Sequence, residues 1–215
     1  MTGFAPRTDI LPPAQAALWP ALAPVAALGF TLYGGTAIAL RLGHRVSEDF
    51  DLFSAAPLDS DAVRRACPFL ANRPALREDA DSFIVRTAED VLLSFFGGID
   101  NGMVAPPDTA PENGLPVASA LDLLATKLKT ILQRAAAKDY VDIAALLRSG
   151  VALERGLGAA RALYGPGYPP MESVRALCWF GDGDLDTLAE DDRRLLADAA
   201  AAVAGRPVPV VPLLP

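Results

Sequence analysis

Histidine and cysteine are nearly missing from this sequence: His44, Cys67 and Cys178 are the only ones in 215 residues. Two cysteines cannot build a disulfide framework, and neither lies in a CxxC or histidine-rich context that would hold zinc. A reducing cytoplasm is the simplest setting for such a chain. A single imidazole with no relay partner in view reads as a residue that orients its loop rather than as a catalytic base. Charge is missing from Ile10 to Leu40, a length that on its own permits a membrane span. Pro12, Pro13, Pro20 and Pro24 interrupt that run, and Gly29, Gly34 and Gly35 punctuate its second half, so no span is expected. A secretory leader is disfavoured as well, because its basic end would rest on Arg7 with Asp9 beside it. Internal repeats are also lacking.

The apolar content of 52% is ample for a real core in a chain of this size. The net charge of −7 argues at first against a polyanionic partner, since phosphate contacts draw on Lys and Arg. The sum hides an asymmetry: Gly181–Asp198 holds seven acids against Arg193 and Arg194. Asp122–Arg155 holds six basic residues against four acidic ones, so a basic face is permitted in the second half.

Periodicity divides the chain. A helix around Ala14–Leu18, an apolar strand Phe30–Tyr33, a short helix Thr36–Leu42 and a strand Phe50–Phe53 are predicted first. A helix over Asp59–Ala66, capped by Asp59 or Ser60, follows. Strands are predicted at Phe83–Arg86 and Val91–Phe96. The Pro-, Gly- and Asn-rich stretch Asn101–Pro116 reads as a loop or boundary. Beyond it, apolar residues at Leu121, Leu124, Leu128, Ile131 and Leu132, then Ile143, Leu146 and Leu147, repeat with helical spacing, and Gly150 is a natural stop. The tail "GRPVPVVPLLP" is extended, either disordered or docked on an apolar groove. Strands followed by helices indicate an α+β core with an appended helical region. The expected organisation is a core over 1–115, a helical region over 116–205 and a Pro-rich tail over 206–215. Trp19, Trp179 and the phenylalanines are expected in the core.

Within "LYGGTAIALRLGHRVSEDFDLF" the two acids of Asp49-Phe50-Asp51 share one face of their strand, while Phe50 and Leu52 share the other. Carboxylates held this close repel by a few kcal/mol at an effective dielectric of about 20. Water or a retained proton offsets that at a surface, and a divalent cation offsets it best in a cleft, where oxygen-only ligands favour magnesium. Gly34 and Gly35 lie where a strand turns into a helix, a place where backbone N–H groups can approach a ligand closely. Thr36 is positioned to cap the helix, whose N-terminus favours a phosphate. Each feature alone also fits a plain connection or a solvated face. Their order and spacing, with Arg45 and Ser47 between them, make a nucleotide site the reading that accounts for all of them.

This stretch resembles the opening motif of the AbiEii/AbiGii-type nucleotidyltransferases, toxins of bacterial abortive-infection toxin–antitoxin pairs within the DNA polymerase β-like superfamily. "LDLLATKLKTILQRAAAKDYVDIAALL" is similar to that family's second block: a helix with Lys, then Arg, then a basic residue followed by Asp and a further Asp. The resemblance implies a mixed-sheet nucleotidyltransferase core whose cleft is completed by the helical region. It assigns nucleotide binding to Gly34, Gly35, Thr36, Arg45, Ser47 and Arg134, and magnesium or manganese to Asp49 and Asp51. Lys127 is assigned to the triphosphate, and Asp139 is the acid of the second block. The implied chemistry is attack of a hydroxyl, on tRNA or protein, at the α-phosphorus of an NTP, with pyrophosphate leaving. A cognate antitoxin is implied as partner.

Helical geometry bears on the second block separately. Lys127 and Arg134 fall within about 20° of each other on a helical wheel, at the edge of the apolar stripe, from which a long side chain can present its charge to a cleft. Asp142 is read as support for Lys138 or an arginine. Many polymerase β-like enzymes carry a third carboxylate on a later strand. The equivalent run here, "VLLSFFGG", offers Ser94 instead, which leaves open a protein that binds NTP or a partner without turnover. A haloacid-dehalogenase-like phosphatase fits less well, because Leu52-Phe53 stands where that motif expects Thr or Val soon after the second Asp. A glycosyltransferase DxD site leaves the Gly-Gly-Thr turn and Lys127 unaccounted for.

Overall fold

Prolines cut the uncharged N-terminal stretch into short pieces. The computed structural model, which describes residues 4–215, places in it the helices α1 (Pro13–Leu18) and α2 (Ala23–Ala26), separated by a 3-10 turn at Trp19–Leu22. No helix among the described residues is long and apolar enough to cross a membrane. The chain folds into two units. One comprises the residues up to Gly102 with Pro107–Ala118, and the other Met103–Pro106 with Ser119–Pro215. Met1–Gly3 of the expected core lie outside the described residues.

The first unit is built on a mixed seven-stranded sheet of order β3-β4-β5-β2-β1-β7-β6. Its strands are β1 (Thr31–Tyr33), β2 (Asp49–Phe53), β3 (Ala75–Glu78), β4 (Ser82–Arg86), β5 (Leu92–Phe96), β6 (Asp108–Thr109) and β7 (Pro116–Val117). Helices α3 (Gly34–Leu42) and α4 (Ser60–Ala66) complete the unit. The cap of α4 is Asp59, which accepts from the Ala62 N–H at 2.7 Å, as a short polar side chain does at that position. β2 runs antiparallel to β1 and parallel to β5.

Register sorts the side chains cleanly. Leu32, Phe50, Leu52, Phe83, Val85, Leu93 and Phe95 pair across strands on one face and are fully buried. Trp19 stacks on Phe50 at 6.0 Å from that side. On the other face the pairs are Tyr33 with Asp51, Asp51 with Ser94, and Phe53 with Phe96. Burial of the first face supplies the apolar driving force, and it fixes which way both acids of β2 point, since a slip of one residue would invert every side chain.

Two strands escape the sequence pattern in the stretch read as loop. β6 and β7 have two residues each, too few for alternation to be visible. Arg41 on α3 holds β7 and the residue after it, donating to the carbonyls of Ala118 at 2.8 Å and Val117 at 2.9 Å, and it pairs with Asp108 on β6 at 2.8 Å. β3 escapes because it is a mostly exposed edge strand with charge at Arg77 and Glu78, a composition that protects an edge from further pairing.

The second unit contains α5 (Ala120–Thr130), α6 (Ala137–Arg148), α7 (Leu153–Tyr164), α8 (Pro170–Ala176) and α9 (Glu190–Val203). Ser119 caps α5, accepting from the Asp122 N–H at 3.0 Å. The buried Asp122 carboxylate in turn accepts from the N–H groups of Val104 at 3.0 Å and Ala105 at 3.2 Å, which ties Met103–Pro106 to this unit. The acidic segment has local duties: Asp184 accepts from the Ala137 N–H at 2.7 Å, capping α6 from a distance, and Asp192 pairs with Arg148 at 2.5 Å. The tail is docked. Val211 packs against a cluster containing Ala159, Ala160 and Leu163, and the Leu214 N–H donates to the Met103 carbonyl at 2.7 Å. Trp179 departs from its expected core position: it is 61% exposed, with its indole N–H donating to Asp182 at 3.0 Å.

Candidate active site

The junction of β1 and α3 is shaped by two glycines. Gly34 has φ +72°, a backbone state that costs an L-residue with a side chain about 1–2 kcal/mol. A Cβ there would lie 2.2 Å from Asp51 Oδ2, so the bare backbone lets the Asp51 carboxylate seat against the start of the helix. At Gly35 a Cβ would lie 2.5 Å from Arg45 Nη2 and 2.9 Å from Ser47 Oγ. The loop between α3 and β2 therefore folds its polar side chains back over the same helix end. Gly34→Ala is expected to lower stability in urea by at least about 1–2 kcal/mol, and an unchanged midpoint would contradict this geometry.

Thr36 departs from its expected role. The N-cap of α3 is Tyr33, and Thr36 lies inside the first turn with almost no exposure. Its hydroxyl donates to the Asp49 carbonyl, and Gln15 Nε2 donates to the Thr36 hydroxyl and to the same carbonyl, each at 3.3 Å. The side chain is thus a brace between α3 and the first residue of β2, and only the backbone of this turn is oriented to meet an anion. Gln15 went unnoticed in the sequence. Its one signal is that it is the only amide side chain in the uncharged run Ile10–Leu40.

Asp49 and Asp51 are each partly buried on one face of β2, with Phe50 and Leu52 fully buried between and beyond them. Gly34, Gly35, Arg45, Ser47, Asp49 and Asp51 are thereby gathered at one end of the sheet. Ser94 stands directly across from Asp51 on β5 and is itself buried. No group of three or more His, Cys, Asp or Glu side chains suited to a metal occurs among the described residues. Two oxygen-donor carboxylates fit magnesium or manganese nonetheless, because such ions keep several waters and take up substrate phosphate oxygens beside one or two carboxylates.

The second block forms its own cluster in the helical unit. Lys127 Nζ lies 2.6 Å from Asp139 Oδ1 and 2.7 Å from Asp142 Oδ2. Arg134 Nε lies 2.7 Å from Asp139 Oδ2. The Lys127 side chain is 8% exposed, both aspartates are fully buried and Arg134 is 53% exposed. Burial opposes ionisation of Asp139, but hydrogen bonds from Arg134 and Lys127, together with their charges, outweigh it and hold its carboxyl below the usual range. One expectation changes here: Lys127 turns inward to Asp139 and Asp142 of α6 instead of presenting its charge from the edge of a stripe.

A sequence model described as nucleotidyl transferase AbiEii toxin, type IV toxin–antitoxin system, matches residues 21–204. The chain belongs to the AbiEii nucleotidyltransferase toxin family. The match takes in both blocks and most of both units. An uncharacterized protein of Aquifex aeolicus (strain VF5), aq_aa25, is 33% identical over 134 residues, covering 60% of this AbiEii family chain and 64% of its own length. This chain therefore spans less than two thirds of that relative.

Solved structures agree on the fold. MenT4, a nucleotidyltransferase toxin of Mycobacterium tuberculosis H37Rv, superposes with a TM-score of 0.54 at 17% identity, over 87% of this chain and 91% of its own. The antibiotic-resistance factor ANT(2'')-Ia in complex with adenylyl-2''-tobramycin gives 0.53 at 16% identity, over 74% of this chain and 99% of its own. The α+β architecture of this family member is thus that of the polymerase β-like nucleotidyltransferases.

Proposed function

We propose that this AbiEii family protein is a magnesium- or manganese-dependent nucleotidyltransferase that moves NMP from an NTP to a hydroxyl on tRNA or protein, and whose activity is countered by an antitoxin. The observation that carries this reading is the seating of the Asp51 carboxylate against the glycine start of α3, with Asp49 on the same face of β2. The N–H groups of the first turn of α3 cradle triphosphate oxygens, with the Arg45 guanidinium and the Ser47 hydroxyl beside them. Asp49 and Asp51 hold the divalent ion, and the Thr36–Gln15 brace keeps the Asp49 backbone in place as they do so. The ion, when bound, supplies charge neutralisation at the phosphates and Lewis acidity at the α-phosphorus. The acceptor hydroxyl forms the new P–O bond, the bond to the bridging oxygen breaks and pyrophosphate departs. Within the helical unit, Lys127 and Asp139 fix the position of Arg134.

Calorimetry with each of the four NTPs and magnesium, run beside transfer of labelled NMP to total tRNA and lysate protein, tests this. Binding with transfer is expected, and neither binding nor transfer would end the reading. Ser94 favours a second one, an NTP-binding module without turnover, since the strand across from Asp51 offers a hydroxyl there and no third carboxylate; binding without transfer would establish it. Ser94→Asp provides a further check. A third acid one strand away, about 4.8 Å across the sheet, adds repulsion of a few kcal/mol. The variant is expected to melt lower than wild type in EDTA and to recover with manganese. Equal melting in EDTA would argue against a clustered carboxylate site.

A further inference from the structure

The helical unit carries an open apolar groove of about 480 Å³ that has no part in the assignments above. Met171 and Val174 of α8, with Trp179 just beyond it, form one wall, and Ala200, Ala201 and Ala204 at the end of α9 form the other. Met171 and Trp179 are exposed. The indole is nevertheless held in place. Its N–H donates to Asp182 at 3.0 Å, and a Cβ at Gly181 would lie 2.9 Å from Trp179 Cζ2. A ring fixed in this way loses little further freedom when something packs on it. The rim is acidic. Asp182 stands at the indole, and the exposed Asp198 lies three residues before Ala201, one turn away on α9. Arg175, the one charged side chain in the lining, is paired with Glu172 at 2.5 Å. From Met171 to Arg206 the chain holds eight acids against four arginines.

We propose that this groove docks an amphipathic helix of a partner protein, with the partner's apolar ridge against Met171, Trp179 and the alanines and its Lys or Arg flanks toward Asp182 and Asp198. This goes beyond nucleotidyl transfer and does not depend on it. A trough between two helices takes apolar anchors at i, i+3, i+4 and i+7 of a third. Alanines along α9 let that helix approach to the short end of the usual 8–10 Å spacing. Charge selects the occupant. A second copy of this chain would set acids against acids, and an anionic bilayer would be repelled by the same rim. A small molecule needs placed polar groups to fix it, and Arg175 is already taken by Glu172. Trp179 supplies the kind of aromatic anchor on which protein interfaces depend.

The test is anisotropy of a labelled helical peptide with leucines at i, i+3, i+4 and i+7 and lysines elsewhere, titrated with the full chain beside the same peptide carrying glutamates in place of lysines. The lysine peptide is expected to bind and the glutamate peptide is not. Trp179→Ala removes the anchor and Ala201→Arg fills the groove. Both positions are exposed, so both variants should fold, and each should weaken binding of the lysine peptide roughly tenfold or more. Equal affinity for the two peptides, no binding of the lysine peptide, or unchanged affinity in either variant overturns the proposal. A wild-type dimer in sedimentation that Trp179→Ala dissolves would give the groove to a second copy. Binding to phosphatidylglycerol vesicles that depends on Trp179 would give it to a membrane, and either result overturns the partner helix.

Discussion

Asp51→Asn is expected to lower nucleotidyl transfer by about a hundredfold or more while leaving the protein folded. Asparagine keeps the shape that fits against Gly34, where a Cβ would come within 2.2 Å of the present carboxylate, and removes only the charge that a divalent ion requires. Asp49→Asn should behave alike, because both acids face one side of β2 over fully buried Phe50 and Leu52. Labelled-NTP incorporation by the two variants and the wild type, with urea midpoints as a control for folding, is the measurement. Incorporation that survives both substitutions would overturn the assignment of the site.

Lys127→Met is expected to cost about 3–5 kcal/mol of stability, the scale for breaking a buried ion pair by removing one partner. The ammonium bridges Asp139 at 2.6 Å and Asp142 at 2.7 Å, both fully buried. Methionine leaves two desolvated carboxylates with Arg134 as the remaining cation on Asp139. The pH dependence gives a second readout. With its carboxyl held below the usual range, Asp139 contributes stability that is present above its unfolded value of about 3.9 and is lost as pH falls through the lower folded value. Losing Lys127 raises the folded value, so the acid limb of the stability curve should begin at higher pH in the variant. Urea unfolding between neutral and acid pH measures both effects. A variant as stable as wild type at neutral pH would show that the pair is not a structural anchor.

The sequence disclosed what short-range rules govern. The alternation in Asp49-Phe50-Asp51-Leu52 announced both the buried face and the direction of the acids, because one strand side is apolar throughout. Gly34 and Gly35 marked the turn, and Asp59 marked the start of α4. What stayed hidden depends on partners distant in the chain. Thr36 looked like a cap, since its hydroxyl partner, the Asp49 carbonyl, lies 13 residues on. The angular position of Lys127 at the edge of its stripe could be computed, but the wheel of one helix says nothing about the acids of the next helix packed against it. Tyr33, Phe53 and Phe96 come together from three strands, and the two phenylalanines, read alone as core, gave no sign of it.

The central claim is that the β2 carboxylates and the α3 turn form one site for a divalent ion and a nucleoside triphosphate. Manganese binding followed by electron paramagnetic resonance, with and without ATP, tests it most directly in wild type, Asp49→Asn and Asp51→Asn. The account predicts uptake by the wild type that tightens with ATP and is lost in both variants. Equal manganese uptake by all three proteins would contradict it.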